Sequence, residues 1–238
     1  MTDTSIFLSF QVYLIRHKID ELTYMDSIRN TLSLPRMSTF DREVAGTNVS
    51  SLELYNWNAQ LASALIYPFH IFEVSIRNAV SEALSKAHSP NWHTAQSFSR
   101  SIKKAKYGYC PIDDLSKVVK KNQVLSKVIP ELKFVFWEKL FTSRFQKQIW
   151  DNHIHNVFPN HASLEFTSAE LRDYIRNQIE SVRAIRNRVA HHEPIFRFDI
   201  PSLLRSMEQV IQLRCEDTSQ WMMVNQKVLE IYQAKLNE

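Results

Sequence analysis

Apolar residues recur at three- and four-residue intervals along most of this chain, the spacing that gathers side chains on one face of a helix. Leu54, Trp57, Leu61 and Leu65, continued by Phe69, Phe72, Ile76, Val80 and Leu84, predict a long helical stretch over 52–87. Pro68 falls inside it and is expected to kink or break it. Phe134, Phe136, Trp137, Leu140, Phe141, Phe145, Ile149 and Trp150 form a dense aromatic and aliphatic series, which reads as core. Leu171, Ile175, Ile179, Val182, Ile185 and Val189 line one face of a further helix, which Thr167 and Glu170 open with capping-box spacing. Pro194 disfavours helical geometry at Glu193, so that helix is expected to stop just after His192. Asp199-Ile200-Pro201 predicts another helix running to about Cys215, and Thr218 the start of a last one carrying Trp221, Met222, Val228, Ile231 and Tyr232.

Composition supports an all-α fold. Only Gly46 and Gly108 are glycine among 238 residues, whereas turn-rich β architectures need many residues that tolerate positive φ. The expected organisation is an N-terminal extension over 1–24, expected to be helical, followed by a helical domain over 25–238. Within that domain, 27–87 forms a first helical unit, 88–131 a loop-rich basic connecting segment and 132–238 a second helical unit. Ile6 to Ile15 is too short an apolar run to span a bilayer and is closed by Arg16, His17 and Lys18, so no membrane partner is expected. Cys110 and Cys215 lack metal-type spacing, and a reducing cytoplasm is the expected location.

Charge changes the picture in one place. The chain as a whole carries +4, but 100–133 holds nine basic residues against three acidic ones, an excess larger than that of the entire protein. Lys103, Lys104 and Lys106 interleave there with Tyr107 and Tyr109, the combination that neutralises phosphates while stacking bases. A solvated surface would look the same. In the long first helix Glu73 and Arg77 stand four apart, which reads as a structural ion pair if buried. His153, His155 and His161 lie between prolines and asparagines and read as loop residues; no well-spaced third and fourth ligand accompanies them, so no metal and no cofactor is expected.

The stretch of richest chemistry is Ile185-Arg186-Asn187-Arg188-Val189-Ala190-His191-His192-Glu193-Pro194. A guanidinium can hold a phosphate at two points, an amide can fix a neighbour's orientation, and an imidazole can move protons near neutral pH. Asn187 and His191 share a helical face, with Arg186 on the adjoining flank. The tripeptide Ile-Arg-Asn occurs four times, at Ile28, Ile76, Ile175 and Ile185, and only the last has a histidine four residues after its asparagine. Basic residues that merely complement a helix C-terminus would also account for Arg186, Arg188, His191 and His192.

Leu54-Tyr55-Asn56-Trp57-Asn58, Phe72-Glu73-Val74-Ser75-Ile76-Arg77-Asn78-Ala79, Phe136-Trp137 through Phe141, and Ile185 through Pro194 resemble, in order, the blocks of Abi-like proteins, the bacterial abortive-infection family. That family is placed in the HEPN superfamily of helical bundles, marked by an arginine, four to six residues and a histidine, here Arg186 and His191. The resemblance implies a metal-independent endoribonuclease acting as a toxin in phage defence, with Arg186, Asn187 and His191 as catalytic residues. It also implies a homodimer, with RNA as substrate and an antitoxin or phage-derived trigger as further partner. Arg77, Lys103, Lys104, Lys106, Tyr107, Arg188 and His192 are the expected accessory RNA contacts. The alternative is a non-catalytic HEPN-like module that binds RNA or protein, and a third reading, a metallohydrolase built on His153 and His155, is the weakest.

Overall fold

The computed structural model describes residues 20–104 and 107–234, among which helices and no strand occur. The expected helix over Ile6 to Ile15, and Lys106, lie outside the described residues. The described residues divide into two compact units, one within 1–61 joined by the end of the chain from 233, the other within 62–232.

The first unit contains α1 (Glu21–Leu32), α2 (Leu34–Glu43) and the opening turns of α3 (Ser51–Ala87). Asp20 caps α1 by accepting the Thr23 amide at 2.9 Å. Met37, Phe40, Leu54 and Trp57 are buried, and the rings of Phe40 and Tyr55 meet at 5.0 Å. Arg29 donates from both Nη atoms to the two carboxylate oxygens of Asp41, at 2.8 and 2.9 Å. This fork-on-fork pair holds the Asp41 carboxyl below its ordinary range.

The second unit takes in the remainder of α3. Of the kink or break expected at Pro68, the break does not occur: α3 continues through it. The proline removes one helical donor, but Leu65, Phe69 and Phe72 on either side are buried, and their packing holds the helix together. α3 is the one helix among the described residues long and apolar enough to cross a bilayer. Its Leu61, Leu65, Phe72, Ile76, Val80 and Leu84 are nevertheless buried within the protein, as in a core helix.

The basic middle carries three short helices, α4 (Gln96–Ser101), α5 (Pro111–Lys121) and α6 (Leu125–Glu131), separated by irregular stretches. Trp92, at its start, is fully buried, donates its indole N–H to Ser81 Oγ at 3.0 Å, and sits among Phe98, Phe136 and Trp137. α7 (Phe134–Leu140) follows, then a five-residue π-helical turn, Gln146–Trp150, leading into α8 (Asp151–Val157). His153 and His155 therefore lie on a helix rather than in the expected loop.

α9 (Ser168–Ala190) packs against α7, the π-helical turn, α8 and α10 (Ile200–Arg214). Both halves of its predicted capping box form: Thr167 Oγ1 accepts the Glu170 amide, and the Glu170 carboxylate accepts the Thr167 amide. The predicted apolar face from Leu171 to Val189 is buried. Asp199 caps α10 as its sequence suggests, accepting the Ser202 amide at 3.0 Å. The last predicted helix differs. α11 (Glu216–Asn225) begins two residues before Thr218 and stops at Gln226, and α12 (Val228–Gln233) stands apart.

Candidate functional site

α9 delivers its chemistry at its C-terminal end, so what fixes its position and its rotation about its own axis matters. At its start Arg172, 3% exposed, donates to the Gln146 side-chain oxygen on the π-helical turn and to Asp173. Two turns before its end Arg183 donates from Nε to Glu138 of α7, a fully buried carboxylate that also accepts from Lys139 at 3.2 Å. One turn later Arg186 donates from Nε to Glu73 Oε1 of α3 at 2.6 Å. The other Glu73 oxygen accepts from Arg77 Nη2 at 2.8 Å. Rotating the helix would pull each arginine off a buried carboxylate oxygen, so both attachments resist it, although Glu138 would keep Lys139 and Glu73 would keep Arg77.

The helix ends earlier than the sequence suggests, at Ala190, with His191 as its cap residue. Termination is accomplished by a Schellman motif. His192 adopts left-handed geometry at φ 56°, its amide reaches the Val189 carbonyl at 3.0 Å, and the Glu193 amide reaches the Arg188 carbonyl at 2.8 Å. Arg188 braces the chain beyond: Nε and Nη2 donate to the Pro194 carbonyl at 3.1 and 2.9 Å, Nη1 pairs with Glu193 at 3.0 Å, and the guanidinium lies over the Phe198 ring. Arg188 is thus committed to holding the turn. Glycine is the residue that αL geometry favours, so His192→Gly should stabilise the protein by on the order of 1 kcal/mol, read as a higher melting temperature. Destabilisation by that substitution would show that the imidazole contributes more than the strain removes.

The site residues fall as follows. Arg186 is about one-third exposed, and beyond Glu73 no hydrogen bond engages its guanidinium among the described residues. Asn187 is half-buried, and its carbonyl accepts the His191 amide at 2.9 Å. His191 and His192 are exposed. Arg77 is brought to Arg186 through their shared carboxylate. Lys103, Lys104 and Tyr107 are exposed on the connection between α4 and α5, an element that carries none of the α9 residues. Tyr109 is set apart from them: it donates to Asp114 at 2.6 Å, and burial with that bond pushes its phenol well above the ordinary value.

Glu73 has two partners, of which the sequence pattern shows one. Its pairing with Arg77 was legible from the i, i+4 spacing; its pairing with Arg186, 113 residues away, was not. The available signal was stoichiometric. A buried carboxylate with one arginine still has an acceptor oxygen to satisfy.

The histidine cluster is self-contained. His155 Nδ1 meets His161 Nε2 at 2.8 Å and its Nε2 meets Ser168 Oγ at 3.1 Å, so both ring nitrogens are occupied. Burial, and secondarily the charge of His161, lowers the His155 pKa. No group of three His, Cys, Asp or Glu side chains placed to hold a metal occurs among the described residues.

An all-helical protein that ends a buried-carboxylate-anchored helix in Arg-Asn and an exposed histidine is the class these features define. A family model described as Abi-like protein matches residues 22–197, most of the chain and all of the site. The chain belongs to the Abi-like protein family, which connects it with abortive infection. No curated protein and no solved structure gave a match.

Proposed function

We infer that the protein is a metal-independent endoribonuclease, acting in the cytoplasm as a growth-halting toxin in phage defence. The observation that carries this reading is the joint placement of Arg186 and His191. Both are solvent-accessible at one end of a helix whose rotation is fixed, and both fall within the Abi-like match.

In this mechanism His191 accepts the proton of the ribose 2′-hydroxyl as that oxygen attacks the adjacent phosphorus, or supplies a proton to the departing 5′-oxygen. Arg186 offsets the charge that grows on the phosphate oxygens, and Asn187 holds the phosphate or orients His191. One bond forms between the 2′-oxygen and phosphorus, and the bond to the 5′-oxygen breaks. The products carry a 2′,3′-cyclic phosphate and a 5′-hydroxyl. A single imidazole cannot hold both proton positions at once. A two-fold homodimer that brings two α9 ends to one strand supplies the second.

The test is incubation of the purified protein with labelled RNA in excess EDTA. Cleavage is expected to persist, to yield cyclic-phosphate ends, and to spare the same strand bearing 2′-deoxyribose throughout. Loss of cleavage on chelation, or equal cleavage of the deoxy strand, would overturn the reading.

A further inference from the structure

We propose that Glu73 is a positioning residue for the phosphate-binding arginine: by taking the Nε edge of Arg186 it turns the Nη1/Nη2 edge outward as a preformed two-point seat for a phosphodiester. This deepens the nuclease reading and rests on it. A guanidinium has five N–H donors, and its two Nη groups present a fork that matches two phosphate oxygens. Glu73, 7% exposed, engages Arg186 only through Nε, at 2.6 Å. The chain itself shows the other arrangement, since Arg29 spends both Nη atoms on Asp41. Attachment through Nε leaves the Arg186 fork unspent.

Arg77 completes the device. It donates Nη2 to the second Glu73 oxygen at 2.8 Å, so two guanidinium groups flank one carboxylate and the trio keeps a net positive charge. Without Arg77 the carboxylate would cancel the charge that Arg186 needs toward an anion. Arg183, one turn earlier, is also attached through Nε, to Glu138, but Arg186 is the one that stands five residues before His191. The carboxylate does not touch the substrate in this scheme; it acts through Arg186 by removing the entropy and misorientation of a long side chain before the phosphate arrives.

The experiment measures kcat and KM on a labelled single-stranded oligoribonucleotide pool of random sequence. The variants are Glu73→Ala, Glu73→Gln, Arg186→Ala and the double variant Glu73→Ala/Arg186→Ala, with His191→Ala alongside. Glu73→Ala should lower kcat by about 10- to 100-fold with KM changed far less. The double variant should be no slower than Arg186→Ala alone, because a residue acting through Arg186 has nothing left to act on. Should Glu73→Ala lack a cooperative melt, the near-isosteric Glu73→Gln in both backgrounds carries the same comparison. Wild-type kcat in a folded Glu73 variant, or losses that multiply in the double variant, would overturn the role of Glu73 while leaving the nuclease intact. Undiminished cleavage by His191→Ala would overturn both.

Discussion

Replacing His191 with alanine is expected to lower kcat for RNA cleavage by about 10²- to 10⁴-fold, the usual contribution of a positioned proton carrier. Stability should hardly move. His191 is exposed, it follows the last helical residue, and its backbone bond to the Asn187 carbonyl does not depend on its side chain. RNA affinity, measured with a strand carrying 2′-deoxyribose, should also be retained, because the phosphate contacts are assigned to arginine. A catalytic loss without loss of folding or binding separates this account from a module that only binds RNA; unchanged cleavage would exclude His191 as the acting group.

The second large effect concerns the scaffold. Trp150→Ala should destabilise the protein by about 3–5 kcal/mol, the range for truncating a fully buried large aromatic side chain. Trp150 is inaccessible to solvent, stacks on Phe141 at 4.4 Å, and donates its indole N–H to the Leu140 carbonyl at 2.7 Å. It closes the π-helical turn whose Gln146 receives Arg172 of α9, so the damage reaches the helix that bears the site. Such a loss is a large share of the roughly 5–15 kcal/mol that holds an ordinary domain together. Urea denaturation of the wild type and the variant measures it. A difference under about 1 kcal/mol would mean that the cavity collapses or that the stack contributes little.

The elements that sequence predicts best here are those whose signals are local. Thr167 and Glu170 announce α9 because a capping box is made within one turn, and the period from Leu171 to Val189 follows from burial of one face. The end of α9 was displaced because the Pro194 signal is only a boundary, whereas the actual stop is the αL turn at His192, a conformation that a non-glycine residue does not advertise. Pro68 does not break α3 because the lost hydrogen bond is local, whereas the packing of Leu65, Phe69 and Phe72 that outweighs it is tertiary. His153 and His155 read as loop residues from their proline and asparagine neighbours, yet Ile154 and Val157 are buried and draw the segment into a helix.

For the site the same division holds. Arg186, Asn187 and His191 stood out as a cluster of chemistry within a few residues of sequence. The contact that orients Arg186 spans two distant helices, and no periodicity encodes which arginine of α9 meets which carboxylate of α3 or α7. The short-range pair Glu73–Arg77 accounts for only one Glu73 oxygen; the other belongs to the long-range contact with Arg186.

The central claim is that the end of α9 cuts RNA through internal attack by the 2′-hydroxyl, with His191 carrying the proton. Its most direct test is to induce the wild type and His191→Ala in a bacterial host and sequence the RNA ends that bear a 2′,3′-cyclic phosphate. New ends of that kind with growth arrest in the wild type alone are the predicted result. Equal arrest in both strains, or arrest in the wild type with no new cyclic-phosphate ends, would contradict it.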